Sequence, residues 1–578
     1  MKQSNRRGHH SFHIPVMGTG FSIDTPIRIA RYGISSVISL VDDVLIERMR
    51  KFHCDREGEV YEEIGPREED SRARRITEYL NLLQRVIDKQ MAALKAAPFD
   101  KDSDITRYYE LLPEGELKSK YQAMLELSPG PERSKLEDEL RAAPEPGSID
   151  VNIMSKSDCD VFEKGEKLPP EHSTASSALR GFANSDLDSS IIFSAGMNPR
   201  LYAYAQNFQD FYPGEDGIIK KHIVLKVSDF RSAIVQGKYF AKRGLWVSEY
   251  RIESGLNCGG HTFPSAGIAM GKILEEFRLH RQDLQTDLRP IYEKALTKKE
   301  RSIPECTPEI RITVQGGIGT AEENKLMLDT YNMDATGWAT PFMLVPEVAN
   351  VDDHHLEMLA AATDEDIALS DASPYGAPFW NLMHSASEEA RRKRNAEGKP
   401  GAPCTGGFVR FNSDYTKSPI CAASKTYIRH RLNALEAEDL NYEQKEALRE
   451  SILAKSCICV DLAGAATLKN DIDPDITPAV CCGPNIVNFS KIATLEEMVG
   501  HIYGRLSLLT NPDRPHLFLR EMGLYIDYLR KELKQFSLNL SPQKPKYFAD
   551  FKANLLEGIE YYKERATQVA GEQQERFL

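Results

Sequence analysis

The sequence predicts a (β/α)₈ barrel with a helical insertion and a mostly helical C-terminal extension, and three observations carry that prediction. Short β-branched apolar runs recur between residues 13 and 345, and each glycine-bearing loop in this region directly follows such a run. The last two runs frame a short helix and both end in glycine, as the phosphate-holding loops after the last two strands of such a barrel do. A charged stretch with helical periodicity, about 55–147, interrupts the series, and more than 200 residues follow its end. We therefore expect a phosphate-binding site in a barrel over 1–350, a cysteine-rich extension over 351–494 and a helical segment over 495–578.

Composition sets the frame. At 578 residues the chain exceeds what one core normally supports, and 41% hydrophobic with 28% charged residues is an ordinary globular composition. No apolar run stands out at the roughly 20 residues a bilayer-spanning helix needs, so no membrane partner is expected. The N-terminus, MKQSNRRGHHSFHIP, lacks the apolar segment of a secretion signal, and a reducing cytoplasmic location is the expectation. A net charge of -13 opposes broad nucleic-acid binding, although a local basic groove is still compatible with it. The run Arg391-Arg392-Lys393-Arg394 reads first as a solvated helix face.

Taken in order, His13 to Asp43 gives a strand, a loop holding Met17, Gly18 and Thr19, a helix opened by Asp24-Thr25-Pro26 and closed by Gly33, and a second strand. Ile149 to Met154 is a strand carrying Asn152, which has a structural reading as open as a ligand-binding one. Ser189 to Pro199 is a strand ending near Gly196. His222 to Val227 is another, with Lys226 at its C-terminal end, where a solvated strand end is the competing reading. Val247 to Phe263 leads from a strand into Cys258-Gly259-Gly260-His261; the glycines admit a ring system close to the backbone and the imidazole suits proton transfer near neutral pH. The sixth strand of the barrel is not located with certainty, and a helix around Gly271 to Leu296 precedes the seventh.

Glu309 to Phe342 holds the last two runs. Ile310 to Val314 stops at Gln315-Gly316-Gly317, where no Cβ blocks a ligand from the backbone. Thr320 and Glu323 have capping-box spacing, so the helix they open is expected to turn its free N–H groups and dipole toward an anion. Gly337-Trp338-Ala339-Thr340 adds further backbone donors. FMN is expected rather than a dinucleotide, because no G-x-G-x-x-G motif opens a βαβ unit with an acidic residue ~20 positions on.

These motifs resemble, in their order, those of nitronate monooxygenases (2-nitropropane dioxygenase-like flavoproteins), over about residues 13–345 without the insertion. Met17-Gly18-Thr19 falls on the family's flavin-side loop, Asn152 on the asparagine of its "GVN" strand, and SSIIFSAGMNP on its "VVSFxFGxP" strand end. The stretch NCGGHTF is similar to "E-A-G-G-H-x-G", whose histidine lies by the flavin N5 and the substrate. Cys258 departs from the alanine, and Thr262-Phe263 from the small residues that follow. The resemblance implies an FMN-dependent oxidoreductase acting on a small organic substrate with His261 as catalytic residue, and FMN contacts at Met17, Gly18, Thr19, Asn152, Lys226, Gly259, Gly260, Gln315, Gly316, Gly317, Gly337, Trp338, Ala339 and Thr340. Flavin enoyl reductases, which also carry long extensions, and an RNA-modifying flavoenzyme are the alternatives.

Six of the ten cysteines lie in the extension: Cys404, Cys421, Cys457, Cys459, Cys481 and Cys482. Small neighbours would let thiolates converge, so Cys421, Cys457, Cys459 and Cys482 are candidate ligands for a [4Fe-4S] cluster. Zinc fits the same donors, and buried packing cysteines are a third reading. The amphipathic helices from about 495 onward are expected to pack on the barrel or on a second subunit.

Overall fold

In the computed structural model, which describes residues 8–155, 158–163, 165–257, 266–306, 308–511 and 513–566, eight parallel strands close into a barrel. They are β1 (Phe12–Ile14), β2 (Ser35–Ser39), β3 (Ile149–Ile153), β4 (Ser189–Phe193), β5 (Lys221–Val227), β6 (Val247–Glu253), β7 (Arg311–Gln315) and β8 (Ala335–Gly337). Each strand pairs with the next in sequence, and β8 closes on β1 with Thr336 opposite Phe12. The strand that the sequence left open is β6 itself, and the helix Met270–Lys298 is the crossover to β7.

The strands form where they do because both of their faces are covered. Inward and outward side chains alternate with period two. On β6, Tyr250 and Ile252 face the helices: a Cβ at Gly237 of helix Phe230–Ala241 would lie 2.3 Å from the Tyr250 hydroxyl, so helix and sheet meet at contact distance there. Glu249, Arg251 and Glu253 face the interior. Low in the barrel, Arg251 donates to Glu249 at 2.6 Å and Thr313 donates to the same carboxylate at 2.8 Å, beside an apolar layer of Val16, Val37, Ile192 and Val224.

The insertion is helical as expected. Its long helix, Ser71–Ala96, joins the barrel's outer layer by packing on helix Thr174–Ala183, where Gly181 has no room for a Cβ (2.7 Å from Ala73 O) and accepts a hydrogen bond from Thr77 at 2.9 Å. The extension folds back over the C-terminal mouth of the barrel. Helix Ile458–Lys469 touches the β1 loop through Gly20 N–H and Leu462 O at 3.1 Å, and the Trp380 indole donates to Gly255 O at 3.0 Å. The stretch Tyr442–Lys469 is long and apolar enough by composition to cross a bilayer, but it is divided into helices Tyr442–Leu453 and Ile458–Lys469, and 56% of its most apolar window is buried. The basic run is not a free face throughout: Arg391 donates to Glu388 at 2.6 Å and to Leu453 O at 2.9 Å.

One buried ion pair joins the C-terminal segment to the loop after β7. Arg514, its side chain 0% exposed, donates to Glu323 at 2.6 Å, to Asn485 Oδ1 at 2.9 Å and to Gly317 O at 2.7 Å. The expected capping box is therefore only half formed. Thr320 Oγ1 accepts the Glu323 N–H at 3.0 Å, but the Glu323 carboxylate turns to Gly319 N–H at 2.8 Å and to Arg514 instead of to the Thr320 N–H. Of the first-turn donors of the helix that follows, Ala321–Lys325, the Glu323 N–H is taken by the Thr320 side chain and the Asn324 N–H by the Thr320 carbonyl, and the Glu323 carboxylate lies against Gly319 N–H just before the helix.

Burial pushes the Glu323 pKa up, but the Arg514 charge and hydrogen bonds outweigh it and hold the carboxyl below its usual value. Arg514→Met should leave that carboxylate uncompensated at neutral pH and cost about 3–5 kcal/mol in denaturant unfolding. The double variant Arg514→Met/Glu323→Gln should recover much of the loss; a single variant within about 1 kcal/mol of wild type would show that the pair does not hold the loop.

Candidate active site

The alternation that sends Glu249 and Arg251 into the barrel also sets one polar side chain at the C-terminal rim of most strands: Ser39, Asn152, Lys226, Glu253 and Gln315. Ser39, Asn152, Lys226 and Glu253 line a cavity enclosing about 1040 Å³ with its open mouth. The floor of that cavity is the polar rim. Its roof is apolar and comes from the extension, notably Tyr375, Phe379, Phe408, Ile458 and Leu462. A second space of about 300 Å³ lies beside it, lined by Gln315, Gly316, Gly317, Gly337, Ala339 and Thr340 together with Asn485. Asn257, just past β6, lines both.

The smaller space depends on missing side chains. Gly316 (φ +100°) and Gly317 (φ +81°) hold the left-handed backbone that an L side chain resists, and a Cβ on Gly317 would meet Leu256 Cδ1 at 2.8 Å. From the extension, Gly483 presses on the same wall, where a Cβ would lie 2.6 Å from Thr340 Oγ1 and 2.8 Å from Asn257 O. Asn485 is held by donation to Ile318 O at 3.1 Å and by the Arg514 Nε donor.

Charge on the floor is concentrated in one pair. Lys226 Nζ donates to Glu253 Oε1 at 2.9 Å and Gln315 Nε2 donates to the same oxygen at 2.7 Å. Burial would raise the Glu253 pKa, but the Lys226 charge and the hydrogen bonds from Lys226, Gln315 and Asn257 hold it below the usual carboxylate value. His13 on β1 approaches Gln315 Oε1 at 3.4 Å, and burial together with the Arg251 charge lowers its pKa well below the ordinary imidazole range, so its ring is neutral. Asn152, which lines the larger cavity, has its Oδ1 buried and without a hydrogen-bond partner among the described residues.

Gly18, Thr19, Asn152 and Lys226 thus meet in the larger cavity, and Gln315, Gly316, Gly317, Gly337, Ala339 and Thr340 in the smaller. Met17 and Trp338 do not line either space. The Met17 side chain is fully buried, and the Trp338 indole turns away to donate to Thr336 Oγ1 at 3.1 Å, so at most their backbones belong to the site. Gly259, Gly260 and His261 lie outside the described residues.

The cysteines separate into two environments. Cys481 and Cys482 are fully buried in the main core, next to Gly483 at the smaller space. Cys482 packs in the main core and Cys457 and Cys459 in a smaller apolar cluster, while Cys404, which the sequence reading did not choose, lies close enough to Cys421 to shift its pKa. Among the described residues no group of three or more His, Cys, Asp or Glu side chains is arranged to hold a metal ion. The thiols instead influence one another in pairs, Cys421 with Cys404 and Cys459 with Cys457. The neighbouring Cys421 thiol, outweighing burial, and the nearby Arg410 guanidinium lower the Cys404 pKa to about 6, whereas Cys404 and burial raise that of Cys421.

No protein-family model and no curated protein matches the chain. Solved structures that it resembles include the enoyl reductase domain of MlnA from the macrolactin biosynthesis cluster of Bacillus amyloliquefaciens, at TM-score 0.32 and 14% identity over 73% of this chain and 89% of that one. Another is a nitroalkane oxidase from Streptomyces ansochromogenes, at TM-score 0.36 and 8% identity over 86% and 96%. Scores this low do not carry chemistry from those proteins to this chain.

Sequence reasoning missed Glu253, Asn257, Asn485 and the whole roof. Glu253 had a signal, the alternating Glu249-Arg251-Glu253 charges on an otherwise apolar strand. Asn485 had one too, in the Gly-Pro-Asn that follows the two cysteines. The roof residues carry none, since an aromatic facing a cavity and one facing a core read alike.

The Lys226–Glu253 pair gives a pH prediction. A carboxylate held below its usual pKa stabilises the fold above its unfolded value of ~4.3, and that contribution disappears as pH falls through the folded pKa. Lys226→Met removes the countercharge while burial remains, so the Glu253 pKa should rise and the variant should unfold more easily at pH 7 than wild type. The gap should narrow toward pH 4 in urea titrations; a gap independent of pH would show that the lysine acts by packing alone.

Proposed function

We propose that the protein is a flavin-dependent oxidoreductase that holds FMN across the barrel mouth, with the ring in the larger cavity and the phosphate in the smaller. The single observation behind this reading is the pair of adjoining spaces that share Asn257, one wide with an apolar roof and a buried orphan acceptor at Asn152, the other tight and lined by glycine backbone. The residues present fit the group. Gly316, Gly317 and Gly337 leave room for phosphate oxygens at the backbone, Thr340, Gln315 and Asn485 supply polar side chains there, and Arg514 fixes the Gly317 carbonyl behind them. Asn152 offers its amide to a ring edge, and Lys226 Nζ, oriented by Glu253, lies on the same floor.

A bound flavin would supply the transfer of electrons to or from a substrate carbon. The chain's own residues position and protonate. Tyr375, Phe379, Phe408 and Leu462 exclude water from the upper side and select an apolar or small organic substrate, in keeping with a nitronate or an activated C=C compound. We assign proton transfer to His261. The assignment rests on the chemistry of the imidazole and on its place in the sequence, four residues after Asn257.

The purified protein should show a flavin absorption band, and Gly317→Asp should abolish it by placing a Cβ and a negative charge in the smaller space. Full FMN content in a folded Gly317→Asp variant would place the phosphate elsewhere. His261→Ala should retain FMN and slow the substrate-dependent flavin step by ~10²- to 10⁴-fold in stopped-flow measurements. An unchanged rate in the fully flavinated variant would pass the proton-transfer role to another group.

A further inference from the structure

We propose that a side chamber behind the rims of β2 and β3 binds a short unbranched alkyl tail, so that the substrate is a small polar head carried on an aliphatic chain. The inference rests on the flavin reading only for calling the larger cavity the reaction site, and it adds the substrate class. The chamber encloses about 290 Å³ and shares Val41, Met154 and Phe408 with the larger cavity, so the two adjoin. In the barrel order β1 separates β2 from β8, and the glycine-lined space belongs to the loops after β7 and β8. A phosphate held there leaves the chamber to a different group.

The wall of the chamber is apolar and buried. Leu40 and Ile153 follow Ser39 and Asn152 by one residue, so they turn to the opposite side of the sheet, where helix Thr174–Ala183 packs. They are 1% and 2% exposed, and Ala178 on that helix is 1% exposed. The polar atoms of the rim are already engaged. Leu40 N–H donates to Asn152 O at 3.1 Å, and Ile153 O accepts from Ser194 Oγ at 3.1 Å. Arg72 donates through Nη2 to Leu40 O at 3.0 Å and Val41 O at 2.8 Å, through Nε to Thr174 O at 3.0 Å, and through Nη1 to Asp43. A polar ligand group would be desolvated there with little in return, whereas a methylene gains by leaving water.

The parts added to the barrel build this space. Arg72 belongs to the long helix of the insertion and Phe408 to the extension, and the Arg72 guanidinium lies 5.8 Å from the centre of the Phe408 ring. Each of its three nitrogens is committed to the protein, so the arginine closes the wall without offering a charge to pair with a carboxylate. Ala175 and Ala178, three residues apart on one helix face, keep the chamber open, because any larger side chain there would fill it. A tail seated between these alanines and Phe408 brings its head group out beside Asn152, the residue before Ile153, at the polar floor of the larger cavity. The apolar roof over that floor then covers the first carbons of the same chain.

Isothermal titration of the full-length protein with straight-chain primary alcohols, from butanol to decanol, tests this without any turnover. Kd should fall about fourfold for each added methylene until the chamber is full, and then level off. A branched isomer with the same number of carbons should bind more weakly than the straight one. In Ala178→Leu the levelling should come at a shorter chain, and Ala175→Val, a smaller change in the same wall, should shift it in the same direction if the first variant does not fold. Affinity independent of chain length, equal affinity for branched and straight isomers, or a levelling point unmoved in a folded variant would overturn the chamber assignment. The flavin band of the same sample is read in parallel. Its absence, with the chain-length series and its shift in the variants intact, would remove the flavin reading and keep the tail site.

Discussion

The Arg514–Glu323 pair is the constraint on which the site rests. An arginine with no solvent exposure must satisfy its planar fork internally, and here three of its nitrogens reach three different elements: the carboxylate of Glu323, the side chain of Asn485 and the carbonyl of Gly317. Lysine could not make those contacts at once, since it is a point donor on a flexible stem. Glu323 in turn accepts from Gly319 N–H and Leu517 N–H, both at 2.8 Å, which ties the start of helix Leu517–Ser537 to the loop after β7. A buried pair of this kind contributes little as a sum of charges, because desolvation offsets attraction. What it imposes is geometry. Gly317 cannot shift without breaking a bond to a buried charge.

From that anchor the extension acquires a role beyond covering the barrel. Gly483 and Asn485 reach the smaller space from one side, helix Ile458–Lys469 and the Phe379–Phe408 side chains roof the larger one, and Gly20 accepts the helix at backbone contact. The apolar core is continuous across these parts, from Phe12 and Val314 to Cys482 and Phe518. The cavity is therefore assembled from both ends of the sequence, and its polar floor and apolar roof have different origins: strand rims for one, the extension for the other.

This division explains what could be read from the sequence. The barrel was legible because its signals are local: β-branched runs, glycines directly after them, and the Gly316-Gly317 turn, which needs positive φ. Even the strand that went unassigned, Val247–Glu253, was visible as a strand and lacked only its place in the order. The site's floor followed from the same runs for Asn152, Lys226 and Gln315. The roof did not, because Tyr375, Phe379, Phe408 and Leu462 reach the cavity through tertiary packing alone. The cysteines show the same limit more sharply. Small neighbours around Cys421, Cys457, Cys459 and Cys482 suggested convergence, but sequence spacing cannot tell a residue in the core beside Gly483 from one on the Cys404 loop.

The shape of the two spaces also bears on the kind of ligand. A lone phosphate would fill the glycine-lined space and leave Asn152 Oδ1 without a partner across the barrel mouth. A dinucleotide would need a second phosphate cradle and a carboxylate for its ribose, but the floor's carboxylate, Glu253, is already bonded to Lys226 and Gln315. On the proposed reading a mononucleotide with a flat heterocycle would set its phosphate in the space beside β7 and β8 and its ring in the larger cavity, with Asn257 lining both. The Lys226–Glu253 pair then has a reason to sit on that floor. A buried ion pair costs desolvation, and on the proposed reading that cost would be offset by a fixed lysine charge beside a ring that gains negative charge on reduction, most effective where water is excluded.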